Sequence, residues 1–121
     1  MATVYIGGAS IDERGKASGG QAGNQSGREL RRQAYYDHAK EWYVFRAKSP
    51  AVREDIALAM ERAIANRNIG YDQLQNQTLW NQIKSKGYDP ARATSPCETD
   101  CARLVRVCEA YGFNENSLDA S

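Results

Sequence analysis

Along residues 50–64, apolar side chains return every three or four positions. Val52, Ile56, Met60 and Ala63 form one stripe, and Ile64 widens it. That spacing predicts a helix with one buried face. Ser49 is a good cap, Pro50 suits the first turn, and Gly70 closes the segment. A second helix is predicted with Asp72 as its cap. Leu74, Leu79, Trp80 and Ile83 supply its buried side, and Gly87 ends it with Pro90 beyond. A third helix follows "TSP". Thr99 or Asp100 caps it, Leu104, Val105, Cys108 and Tyr111 lie on its inner face, and Gly112 stops it.

The amino-terminal half patterns differently. "TVYIGGASID" places Val4, Ile6 and Ile11 among β-formers and predicts a short strand running into a glycine-rich turn. Residues 12–27 form a glycine-rich loop. Its "GKASGGQAGNQSG" fits neither glycine pattern that cradles phosphate, so the expectation is a flexible surface loop. Ser26 and Glu29 have capping-box spacing just before Leu30. Residues 28–40 admit either helix or strand. "EWYVFRAK" reads as a strand, with Trp42, Val44 and Ala47 opposed to Tyr43 and Phe45. The pattern as a whole predicts one α+β domain over residues 1–121. Short amino-terminal strands pack on about three helices, and the last helix starts at the Cys101 turn.

Composition narrows the function classes. A chain of 121 residues can bury a core without disulfides or a metal. A formal charge of +1 gives no global pull toward nucleic acid. No apolar run approaches the roughly 20 residues that span a bilayer, so no membrane partner is expected. The start lacks a signal-peptide pattern, which implies cytoplasmic synthesis and reduced cysteines. Glu54, Asp55 and Glu61 share one helix, but acids opposite an apolar stripe read as a solvated face before they read as a glycosidase pair. Trp42 and Tyr43, with Tyr35 and Tyr36, either line a substrate groove or pack a core.

The chemistry concentrates in "PCETDCARLVRVC", residues 96–108, which holds all three cysteines. A zinc site would need these three and His38, the single histidine. On a helix, Cys101 and Cys108 stand roughly 10 Å apart along the axis. They cannot share one metal or close a disulfide, and no metal is expected. Cys108 reads as a small buried hydrophobe. Cys97 reads as a loop thiol, or as a partner for Cys101 under oxidation. Cys101 falls in the first turn of its helix, where unpaired amides and the helix dipole favour a thiolate and can receive an oxyanion. On spacing alone it is either a nucleophile or a structural thiol.

Three longer strings carry a resemblance: "IDERGKASGGQAGNQSGREL", "WYVFRAKSPAVREDIALAMERAIANRNIGYDQ" and "TLWNQIKSKGYDPARATSPCETDC". Together with the motif Asp100-Cys101-Ala102-Arg103-Leu104-Val105, they are similar to phage and prophage proteins that resemble NlpC-type, papain-like cell-wall cysteine peptidases. The similarity covers about residues 4–111. It implies the amino-terminal half of a papain-like hydrolase. Cys101 would be the nucleophile, its own N–H an oxyanion donor, and Asp100 and Ala102 the flanking motif positions. The implied substrate is bacterial cell-wall peptide or glycan, cut at an amide through an acyl-enzyme, with no cofactor. The implied place of action is the host cell wall or the virion. Three departures stand out. Ala102 replaces the usual Ser, Asn24 replaces an expected Asp, and no histidine follows Cys101. A missing carboxy-terminal segment or a protein partner could supply the base. His38 could do so if it came within about 3 Å of Cys101. Alternatively, the chain is a non-catalytic phage interaction protein, a tail component or small inhibitor, that reuses the half-fold.

Overall fold

The computed structural model describes residues 4–36, 40 and 44–118. Its elements in chain order are β1 (Tyr5–Ala9), β2 (Leu30–Ala34), α1 (Pro50–Ala65), β3 (Ile69–Tyr71), α2 (Thr78–Ile83), a 3-10 turn (Pro90–Arg92), β4 (Cys97–Thr99) and α3 (Cys101–Glu115). This is the expected small α+β architecture.

Helix α1 starts where its cap predicts. The Ser49 hydroxyl accepts the Val52 N–H at 3.4 Å, with Pro50 in the first turn. Val52, Ala59 and Ala63 are buried, and Ile56, Met60 and Ile64 pack partly beneath. The helix ends at Ala65, short of Gly70, because residues 69–71 are extended. β3 pairs with β4 in parallel, Ile69 beside Cys97, Gly70 beside Glu98 and Tyr71 beside Thr99. Neither strand was expected from the sequence.

β1 and β2 form a separate antiparallel pair with Ala9 opposite Leu30. The Ser26–Glu29 spacing therefore starts no helix, and the open question over residues 28–40 resolves as strand at 30–34. Glu29 is buried and takes the Tyr71 N–H instead of capping a helix. The strand expected in "EWYVFRAK" does not form at 44–47, which are irregular, while 41–43 lie outside the described residues. β1 also stops before Ile11, which is 40% exposed.

The second helix begins five residues later than expected, at Thr78 with Gln77 in the cap position. Asp72 Oδ1 accepts the N–H of Leu74 and Gln75, a local turn that competes with helix initiation. Leu74 is consequently exposed, not buried. In α3, Val105 faces outward and Val107 takes the inner position. Gly112 does not stop this helix, which runs on to Glu115. A Cβ at Gly112 would sit 2.7 Å from Ile56 Cγ1 and 3.2 Å from the Val52 carbonyl. The glycine is there because α1 and α3 cross at this point.

The core lies between these helices and the β3–β4 pair. Leu30, Ile69, Leu79, Ile83, Leu104 and Val107 are fully buried, each contributing about 1.5–3 kcal/mol by removal from water. Arg62 ties three elements together at its edge, donating to Asp89 at 3.1 Å and to the Tyr111 hydroxyl at 2.8 Å. Arg106 of α3 stacks over the Trp80 ring of α2 at 4.3 Å. No helix among the described residues is long and apolar enough to cross a membrane.

Candidate active site at the start of the third helix

Cys101 is the first residue of α3 and is exposed. β4 delivers it. Thr99, the last residue of that strand, is completely buried, and its carbonyl accepts the Asp72 N–H at 3.1 Å. The chain then turns at Asp100, the extended cap residue of the helix. Asp100 Oδ1 accepts the Arg103 N–H at 2.8 Å. Its Oδ2 accepts from the Arg103 guanidinium and from Asn76 Nδ2, both at 3.1 Å. The Leu104 N–H reaches the Asp100 carbonyl at 3.0 Å. These bonds account for the third and fourth amides of the helix. The first two, on Cys101 and Ala102, have no carbonyl partner within a helix, and both residues face solvent. The turn thus presents a thiol and two amide donors together.

Asp100 is fully engaged in holding this turn, so its carboxylate acts on geometry. Asn76 completes that grip from the loop before α2 and was missed by sequence reasoning. It sits in a polar stretch, and no local pattern links it to a residue 24 positions away.

The other two cysteines differ in kind. Cys97 lies on β4, not in a loop, and is buried, with its sulfur 3.5 Å from the Asn68 carbonyl. Burial, with the Glu98 charge adding to it, pushes its thiol up to about 12. Cys108 is buried on the inner face of α3, as its stripe position implied. Burial, with Glu109 adding, pushes it up to about 12 as well. Neither supplies a thiolate near neutral pH. All three thiols are free.

His38, the candidate base, and Trp42 and Tyr43, the candidate groove aromatics, lie outside the described residues. The structure therefore brings Cys101, Asp100 and Ala102 together and leaves those three untested. A cavity of about 860 Å³ among the described residues does not include Cys101. It opens between β1, α1 and α3 and is lined by Tyr5, Phe45, Ile56, Met60, Val105 and Cys108, among others. Glu54 and Glu61 are exposed on α1, Glu61 pairing with Arg32 at 3.2 Å, as expected of a solvated face, whereas Asp55 is half-buried and accepts from Asn116 Nδ2 at 2.9 Å.

Compared with known families, the chain matches the model of an endolysin-like domain over residues 6–121. No curated protein and no solved structure matches it.

Proposed function

The chain belongs to the endolysin-like domain family, a phage cell-wall-related class, and from that premise we propose that it works as a cysteine hydrolase on an amide of bacterial cell-wall peptide. One observation carries the reading. Of three cysteines, the exposed one stands at the opening residue of a helix, beside two amides without helical partners. In the proposed reaction the Cys101 thiol gives its proton to a base, and the sulfur attacks the amide carbonyl carbon. The resulting oxyanion takes hydrogen bonds from the Cys101 and Ala102 N–H groups. The C–N bond then breaks, and the departing amine leaves with the proton. Water cleaves the thioester, releasing the acid and restoring the thiol. The base is His38 or a histidine supplied from outside this chain. Asp100, Asn76 and Arg103 hold the turn and do not touch the substrate.

A second reading has its own support. The apolar groove between β1, α1 and α3 does not include Cys101, which favours a non-catalytic interaction module of the phage particle, a tail component or small inhibitor. Turbidity clearing of Gram-positive walls separates the two. A hydrolase clears walls, and Cys101→Ala lowers the rate about a thousandfold or more. Equal clearing by the two proteins rejects Cys101 as the nucleophile, and clearing by neither rejects a base within this chain and favours the interaction module.

A further inference from the structure

The glycine-rich loop is bonded down, contrary to its reading as a free surface loop. The Gly23 N–H reaches the Cys97 carbonyl at 3.1 Å, and the Asn24 N–H reaches the Arg67 carbonyl at 2.8 Å. The Gly19 N–H reaches Asp72 Oδ2 at 3.2 Å, and the Gln73 N–H reaches the Ala17 carbonyl at 2.9 Å. The loop lies so close over β3 that a Cβ on Gly70 would fall 2.1 Å from the Gly23 carbonyl oxygen.

Carboxyl groups gather under this loop. Glu29 is buried, its two oxygens accepting the N–H groups of Tyr71 and Gln25. Asp72 is buried and holds Leu74, Gln75 and Gly19. Asp12 is buried, accepting from Lys16 N–H and pairing with Arg14 at 2.9 Å. Glu13 accepts the Gln21 N–H through Oε1, while its Oε2 is buried with no hydrogen-bond partner among the described residues. Glu98 enters from β4, opposite Gly70, and is only 4% exposed. Its Oε2 also has no hydrogen-bond partner among the described residues. The charges of Asp72, Glu29, Glu13 and Asp12 all act on it. On the cationic side, Arg14 faces Asp12, Glu13 and Asp72. Arg67, at the rim, is occupied by the carbonyls of Asn24 and Gln25. Among the described residues no three acidic, cysteine or histidine groups converge to hold a metal ion.

We infer that Glu98 carries a proton while the 12–27 loop is seated on the β3–β4 pair, and that unseating the loop releases this proton to solvent. An isolated buried carboxylate among four others is costly, and a proton removes the cost. Burial, reinforced by Asp72, Glu29, Glu13 and Asp12, holds the seated Glu98 carboxyl up to about 7, against an ordinary value of 4.5. The unseated state binds fewer protons between those values. Loop opening therefore becomes easier as pH rises from about 4.5 to about 7 and levels off above.

Amide hydrogen exchange at Gly23 and Asn24, corrected for intrinsic rates, tests this. Between about pH 5 and about pH 7.5, their protection should fall at least about tenfold while core amides of α1 and α3 hold steady. Glu98→Gln, which keeps shape but cannot ionise, should remove most of the trend, the raised Glu29 carboxyl leaving a smaller remainder. Flat protection in the wild type, the same trend in the variant, or parallel loss in α1 and α3 overturns the inference. If the variant does not fold, the carboxyl-carbon NMR titration of Glu98 in the wild type decides. A midpoint near 7 supports the latch, and one near 4.5 overturns it.

Discussion

At the residue scale, three chemically identical side chains fall into two environments. Cys97 and Cys108 are buried, and Cys101 is exposed on a helix start. Iodoacetamide near neutral pH should therefore label Cys101 first. Cys97 and Cys108 should stay unmodified until denaturant opens the fold, which peptide mass mapping reads directly. Comparable rates at all three sites would contradict the burial. Much of this was legible in the chain. Cys108 falls on the helical stripe with Leu104 and Tyr111, and Asp100 stands where a cap is needed. Cys97 was misplaced because its burial comes from Ile69, 28 positions earlier. No window of neighbouring residues encodes that pairing.

At the element scale, long periodic segments were readable and short ones were not. The 16 residues of α1 repeat their apolar spacing several times over. A strand of three residues, like β3 or β4, offers no period to recognise. Gly70 and Gly112 show the same weakness from another side. Both were read as helix terminators, yet each marks a place where two backbones or a helix and side chain press together. Gly112→Ala is the sharper test. Its new methyl meets Ile56 and the Val52 carbonyl, so α1 and α3 must separate. Unfolding by urea should show a loss of about 1–3 kcal/mol. A neutral or stabilising result, as alanine gives at an open helix position, would mean that the two helices do not meet there.

At the scale of the whole molecule, the buried acids govern how stability responds to pH. Glu98 and Glu29 are both raised above the ordinary glutamate value by burial, against the pull of the amide bonds Glu29 accepts. The folded state thus binds more protons than the unfolded chain between about pH 4.5 and about pH 7, and stability falls across that window. Asp12 works in the opposite sense. Burial raises it, but bonds from Lys16 and Arg14 outweigh that and leave it below its ordinary 3.8, so its contribution is lost only in stronger acid. The urea midpoint should be higher near pH 5 than near pH 7.5, and Glu98→Gln should flatten the difference. A midpoint that climbs over the same range would show Glu98 ionised in the native state. The parallel pairing of Ile69–Tyr71 with Cys97–Thr99 has one more effect, on assembly. Everything from α2 to the 3-10 turn lies between those strands, so the pair closes a long loop before it gains anything. The ledge that carries the exposed thiol is consequently a late product of folding. During refolding, loss of alkylation at Cys97, which is buried beside Ile69 in that pair, would serve as a clock for the moment the two distant strands meet.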